Sequence, residues 1–386
     1  MNDEKKYNAD QVLLVLGNGF DLHCELRTRF TDYFENIFDG ITKYICDKDL
    51  DSFKGINTWY LLFYYAFCEK SKDLYQFGSP FIEYNKNYPY WMDIESFIKT
   101  LLFETSIKEI DYIKINYYKE LEQFFTKKRL NTHDNQFSEK YLISYVIFNR
   151  RGDEKDFAKF LYKELCEFED GFAKYIWGEI GKLNYSDYGS IVHMLKKNLV
   201  DDILKDVNVD ADKVFVLTFN YTNPYYDIKN CEQFDVLNVH GSVQKENSVI
   251  IGYDSSDLIL QSKDGRILLS KSGQKMEKHL DSKKLPDPSK IKVIMFYGHS
   301  LGKQDYTYFH TLFDLYDIYE SDVELQFLYS QHGKDQKGVD ANRIIYIQSI
   351  YALLNNYASR SGIETEFKTL LSRLQLENRL VIRQVD

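Results

Sequence analysis

Val12-Leu-Leu-Val-Leu-Gly17-Asn18-Gly19-Phe20-Asp21 is the stretch on which the fold turns. Apolar residues run unbroken from Val12 to Leu16. That length is short for a helix and suits a strand buried on both faces of a parallel sheet. Two glycines and Asp21 follow at once, and the spacing from about Leu22 to Phe38 predicts a helix. Strand, Gly-x-Gly, helix is the build of a phosphate cradle. Glycines bring bare N–H groups close to a pyrophosphate, and a helix N-terminus adds favourable partial charge. A tight turn with Asp21 as an ordinary N-cap would read the same way. Leu22 stands where a dinucleotide fingerprint has its third glycine, and no acidic residue ends a second strand. An ordinary dehydrogenase is therefore disfavoured.

The rest of the chain is globular in composition. It has 386 residues, 44% hydrophobic and 28% charged, with a net charge of −10. That charge repels nucleic acid and argues against a phosphate-backbone binder. No apolar run approaches the roughly 18 residues of a membrane span. Met1 to Asp10 is polar and carries no signal-peptide core, so a cytoplasmic protein is expected. Cys24, Cys46, Cys68, Cys166 and Cys231 are scattered, which fits reduced thiols and argues against structural zinc.

Residues 40 to 205 show aromatic and aliphatic side chains at helical spacing, as in Trp59-Tyr-Leu-Leu-Phe and Phe157-Ala-Lys-Phe-Leu. They read as a helical insertion between the first and second strands. Asp93 and Glu95 open a helix there, as dipole-complementing acids or as a contact at a pocket edge. The pattern changes at Val214-Phe-Val-Leu-Thr218-Phe219-Asn220, a buried strand with polar residues at its carboxyl end and Pro224 placed to open a helix. Ligands of open α/β sheets bind outside such ends, which makes Asn220 a candidate from position. A turn asparagine is the plain alternative.

Phe234-Asp-Val-Leu-Asn238-Val-His240-Gly241 is a third strand with a histidine at its end. A short strand or hairpin arm over 249–254 follows, then a Ser-, Lys- and Asp-rich stretch over 255–290 that reads as a mobile, solvated excursion. Ile291-Lys-Val-Ile-Met-Phe-Tyr297-Gly298-His299-Ser300-Leu301-Gly302 repeats the cradle pattern, with an N-cap-like Asp305 and a helix through about Tyr319. A strand near 323–329, helices near 340–357 and 363–375, and a last strand near 379–383 complete the chain. His240, His299 and His310 with Asp254 and Asp305 could in principle ligate a metal. No compact ligand spacing supports this, and no metal is expected.

Gly17-Asn18-Gly19-Phe20-Asp21, Phe219-Asn220-Tyr221-Thr222, His240-Gly241 and Gly298-His299-Ser300-Leu301-Gly302 together resemble the AbiH family of phage abortive-infection proteins. The likeness spans about residues 12 to 320. AbiH itself resembles the sirtuin-like (SIR2-like) NAD-binding superfamily. The resemblance implies an α/β, Rossmann-like, mostly parallel sheet with a large helical insertion. Residues 1–40 and 206–386 would form the SIR2-like nucleotide-binding core and 41–205 the insertion. It puts Gly17, Asn18, Gly19, Phe20, Asp21, Thr218, Tyr221, Gly241, Gly298, Ser300 and Leu301 around NAD, with Asn220 and His240 as the catalytic pair. The four-cysteine zinc module of sirtuin deacetylases is absent from the sequence, so protein deacetylation is not implied. Asp21 replaces the superfamily's small hydroxyl residue, where it could repel a phosphate or bond a ribose hydroxyl.

The implied chemistry is NAD glycohydrolysis. Nicotinamide leaves as a neutral base and the ribose passes through an oxocarbenium-like state. Asn220 would orient the ribose or the attacking water, and His240 would act as general base. A non-catalytic nucleotide-sensing module on the same fold is the alternative. Expected partners are NAD or a related dinucleotide, a phage-derived trigger and further copies of the chain. Neither nucleic acid nor a membrane is expected.

Overall fold

The computed structural model describes residues 7–47, 52, 55–69, 93–103, 150–151, 156–183, 191–207, 209, 214–224, 235–256, 264–280, 283–330, 336–360 and 369–385. Among the described residues, six parallel strands form one sheet: β1 (Val12–Leu16), β2 (Phe215–Thr218), β3 (Val236–Asn238), β4 (Val293–Tyr297), β5 (Glu324–Ser330) and β6 (Leu380–Val385). Their order is β3-β2-β1-β4-β5-β6. This is the order of doubly wound dinucleotide-binding sheets, with the reversal point between β1 and β4. The expected α/β, Rossmann-like architecture is thus present.

The α-helices among the described residues are α1 (Asn18–His23), α2 (Phe30–Asp47), α3 (Thr58–Glu69), α4 (Ile94–Phe103), α5 (Phe157–Leu183), α6 (Ile191–Leu204), α7 (Lys271–Glu277), α8 (Tyr306–Leu315), α9 (Gln336–Arg360) and α10 (Leu370–Leu376). The chain divides into two compact units. One comprises Met1–Thr28, Ile176–Val249 and His279–Asp386, the other Arg29–Tyr175 and Ile250–Lys278.

In the sheet unit, the continuous apolar runs of β1 and β4 follow from burial on both faces. Leu13 and Val15 pack into one layer with Phe309, Phe313 and Leu353 of α8 and α9. Val12, Leu14 and Leu16 pack into the other with Leu199, Val200 and Ile203 of α6. The side-chain period of two in a strand sends neighbours to opposite layers, so both faces must be apolar.

The helix expected over 22–38 is two helices. α1 begins on Asn18 inside the Gly-Asn-Gly itself and ends at His23. The Leu26 N–H then folds back to the Asp21 carbonyl, with Glu25 at φ +63°. The helix expected to open at Pro224 falls on 225–234, outside the described residues.

The helical unit explains much of the aromatic content. Phe34, Phe63 and Phe168 are buried, with ring centroids 5.3–5.9 Å apart. Asp93 caps α4 through the Ser96 N–H, and Glu95 pairs with Lys271 at 2.7 Å, so both acids serve the fold. The expectation of a solvated, mobile stretch over 255–290 fails for residues 264–278. Ser270 caps α7 through the Gly273 N–H, Leu269 and Gln274 are buried, and Gln274 donates to the Ile251 carbonyl. The Ser-Lys pattern hid a capping serine and a paired lysine. The strand or hairpin arm expected over 249–254 is reduced to a single bridge between Tyr253 and Ser270.

Glu169 lies buried in this unit, 2.6 Å from Lys278 Nζ and accepting from the Ile251 N–H at 2.7 Å. Burial pushes its carboxyl from 4.5 up to about 7, against the pull of Lys278. The folded state therefore holds this proton more tightly than the unfolded chain. That contribution to stability is full below 4.5 and is lost as pH rises to about 7. Glu169→Gln should flatten the dependence of the melting midpoint on pH across this window. Parallel curves for variant and wild type would refute the assignment.

Candidate functional site

The candidate residues lie at the carboxyl edge of β1, β2, β3 and β4, all in the sheet unit. Adjacent parallel strands deliver their ends to one line, so the turns they feed are neighbours. Phe219 N–H bonds the Leu16 carbonyl at 2.8 Å, and Asn238 Nδ2 donates to the carbonyls of Asn220 (3.0 Å) and Thr222 (3.1 Å). Thr218 Oγ1 accepts the Asn220 N–H at 3.1 Å.

The two glycine turns meet at the reversal point. Gly17 N–H bonds the Tyr297 carbonyl (3.0 Å), and Gly19 N–H bonds the Gly298 carbonyl (2.7 Å). A Cβ on Gly17 would sit 2.4 Å from His299 Cα, and one on Gly19 would sit 2.7 Å from Gly298 Cα. Gly298 has φ +70° and its own Cβ would meet the Phe20 nitrogen at 2.4 Å. These glycines are thus required by backbone packed on backbone. The two N–H groups expected to cradle a pyrophosphate are spent on the neighbouring turn. A bulky residue at Gly19 would push the β1 and β4 turns apart, so it would not test binding in an intact fold.

Asp21 is enclosed. Lys196 Nζ on α6 lies 2.8 Å from its Oδ1, and the Thr222 hydroxyl donates to the carboxylate at 2.8 Å. Lys196 also donates to Thr222 Oγ1 (2.6 Å) and the Asn223 carbonyl (3.3 Å). Asp21 and Lys196 are each 1% exposed. In this arrangement Asp21 neither faces a phosphate nor offers itself to a ribose. It ties α1 to the turn after β2. The Phe20 ring lies under the same lysine, 5.7 Å from Nζ. Asn18 Oδ1 accepts from the Thr28 hydroxyl at 2.6 Å and so serves the end of the α1 turn. Nearby Cys24 is buried, and desolvation holds its thiol up at about 12 despite Lys196. It is a neutral packing residue and not a nucleophile.

Asn220 and His240 both lie within this edge. Asn220 is 4% exposed, and its Oδ1 is buried without a hydrogen-bond partner among the described residues. His240 is buried beside Phe219 (5.5 Å between centroids), Tyr308 (5.6 Å) and Tyr221 (6.4 Å). Its Nε2 is hydrogen-bonded to Asp305 Oδ1 at 3.2 Å. His299 Nε2 lies 3.5 Å from the other oxygen of the same carboxylate. The His299 Nδ1 accepts the Leu301 N–H at 2.9 Å. Leu301 is buried at φ +54°, a strained setting for a branched side chain. Gly241 needs its φ of +78°, and a Cβ there would stand 1.8 Å from the Ser248 carbonyl. Ser300 is exposed on the rim of the same turn.

The metal reading finds no geometry. Among the described residues, no group of three His, Cys, Asp or Glu side chains could hold an ion. His310 faces Arg360, and Asp254 caps Ser256 in the helical unit.

A family model described as bacteriophage abortive infection AbiH matches residues 13–329. The chain belongs to the AbiH family. No curated protein and no solved structure matches it. Membership gives this AbiH chain a role in abortive infection of bacteriophage, and the matched span includes every residue of the edge described above. No helix among the described residues is long and apolar enough to cross a membrane.

Sequence reasoning missed Lys196, Asn238 and the use made of Asp305. Lys196 had a readable signal. With Leu199, Val200 and Ile203 it occupies the apolar face of α6, where an unpaired lysine would be costly. Asp305 sits at the N-cap position of α8, yet its carboxylate makes no cap bond there. It turns to the two histidines instead.

Proposed function

We propose that this AbiH protein binds NAD at the carboxyl edge of β1–β4 and hydrolyses its nicotinamide–ribose bond. The observation that carries the reading is that Asn220 and His240 follow the neighbouring strands β2 and β3 at the carboxyl edge of a 3-2-1-4-5-6 sheet. The buried, unpartnered Asn220 Oδ1 adds to it, since an acceptor left so in a folded protein costs free energy unless a ligand completes it. A ribose hydroxyl or the attacking water is a donor of the right kind.

In the reaction, the C1′–N bond breaks and its electron pair neutralises the pyridinium, so nicotinamide leaves uncharged. Water adds to C1′, and its proton passes to His240 and on to solvent. Asn220 orients the water or the ribose. The glycine turns contribute shape: they let the β1 and β4 ends close on each other. With the Gly17 and Gly19 N–H groups engaged, other donors must hold the pyrophosphate. The choice of NAD rests on the resemblance of these sequence motifs to the SIR2-like superfamily.

An enzyme that consumed NAD freely would kill its host, so turnover is held back until a phage-derived trigger or a change in assembly acts. Pure protein incubated with NAD, with and without lysate of phage-infected cells, tests both parts. Free nicotinamide appearing with the infected lysate is the expected result. NAD bound without release in either arm would leave a sensor and end the enzymatic reading.

A further inference from the structure

We infer that Asp305 is a positioning residue that sets the working tautomer of His240, and that His299 dictates how Asp305 can do so. The inference rests on the reading of His240 as general base. It starts from a carboxylate that declines its usual task. Asp305 occupies the N-cap position of α8, where an aspartate ordinarily bonds first-turn N–H groups, and it makes no such bond. Its two oxygens instead face two imidazoles, Oδ1 towards His240 Nε2 at 3.2 Å and Oδ2 towards His299 Nε2 at 3.5 Å.

The tautomer of His299 follows from a third bond. Its Nδ1 accepts the Leu301 N–H at 2.9 Å, so a neutral ring carries its proton on Nε2, the nitrogen 3.5 Å from Asp305 Oδ2. The strained φ of Leu301 (+54°) and the rings of Phe219 (4.6 Å) and Phe309 (4.9 Å) hold that imidazole in place. A carboxylate has acceptors at both ends and can take a second Nε2–H from His240 at the same time. His240 then carries its proton on Nε2, and its basic lone pair is on Nδ1. The base that takes the water's proton is therefore Nδ1 of His240, and Asp305 steadies the imidazolium that results.

An amide in place of Asp305 has an acceptor at one end only. His299 Nε2–H claims that end. The NH₂ end then faces His240 Nε2 and demands a lone pair there, which forces the His240 proton onto Nδ1. The nearly isosteric Asp305→Asn should thus damage the reaction more than the truncation Asp305→Ala, which merely frees the tautomer.

The test uses full-length protein with ¹⁵N-labelled histidine, and reads ring tautomers by NMR alongside nicotinamide release from NAD. In wild type both His240 and His299 should report Nε2–H. Asp305→Asn should move His240 to Nδ1–H and lower kcat roughly 10²–10⁴-fold with KM for NAD little changed. Asp305→Ala should leave His240 mixed and be the milder lesion. Adding His299→Phe to Asp305→Asn removes the competing donor, so His240 should return to Nε2–H and part of kcat with it. Melting midpoints taken in the same preparations separate these effects from loss of fold. Should Asp305→Asn not fold, His240 remaining wholly Nε2–H in Asp305→Ala would overturn the inference. So would unchanged His240 tautomers in Asp305→Asn, or an alanine variant worse than the asparagine. The tautomer readings need no turnover. Variant tautomers that shift as described, beside a wild type that releases no nicotinamide, would sink the NAD-cleavage reading and leave the Asp305 assignment standing.

Discussion

Replacing His240 with alanine is expected to cut nicotinamide release by roughly 10²–10⁴-fold, the contribution of a positioned acid–base group. Asn220→Ala should cost a comparable factor, and the double variant should lose little more than either alone. Groups that act in one step give non-additive losses, because removing the first already forfeits what the second supports. Their placement favours this outcome. Asn220 follows β2 and His240 follows β3, neighbouring strands pinned together by the two bonds from Asn238 Nδ2. The competing account makes His240 a packed strand-end residue among Phe219, Tyr221 and Tyr308. That account places the loss in stability and not in rate. Melting midpoints measured beside activity distinguish the two. A His240→Ala protein with an unchanged midpoint and wild-type cleavage would remove His240 from the reaction.

The sheet was legible because burial on both faces leaves an unmistakable trace. Val12–Leu16 and Val293–Tyr297 are apolar throughout, and each ends in glycine. The place of Asn220 and His240 at the carboxyl edge was legible, since each stands two residues past a strand. The turn glycines were read correctly as backbone requirements, and within the chain the contact they allow is backbone on backbone. A sequence records that Gly17 and Gly19 lack a Cβ, and it does not record whether a phosphate or the Gly298–His299 turn occupies the space. The contacts of Asp21, Lys196 and Asp305 were illegible for a shared reason, although the place of Lys196 on the apolar face of α6 was readable. Each is a charged residue whose partner lies far away in sequence, as Asp21 and Lys196 do, or whose local role is one it turns out not to play. Asp305 has every local feature of an N-cap, and only the approach of His240 from β3 diverts it.

Lys196→Met should destabilise the protein by about 3–5 kcal/mol, the cost of leaving one member of a buried ion pair without its partner. Both side chains are 1% exposed, so water cannot take over the vacated charge. After the change, the Thr222 hydroxyl would be left to answer the Asp21 carboxylate almost alone. The Asn223 carbonyl also loses the hydrogen bond from Lys196. Neutralising both partners has a different outcome. Asp21→Asn with Lys196→Met removes the stranded charge and keeps an acceptor for Thr222, so most of the loss should be recovered. Urea unfolding of the wild type, the two single variants and the double gives the coupling energy directly. Additive losses would show that the pair does not act as a unit. The activity of the folded double variant then carries information about the site. Lys196 and Asp21 hold the Asn220–Asn223 turn from behind and touch no reacting atom in the proposed chemistry. Nicotinamide release should therefore fall far less than with Asn220→Ala. A double variant as stable as wild type but as inactive as Asn220→Ala would mean that Asp21 or Lys196 meets the substrate, and that the enclosure seen here opens when NAD binds.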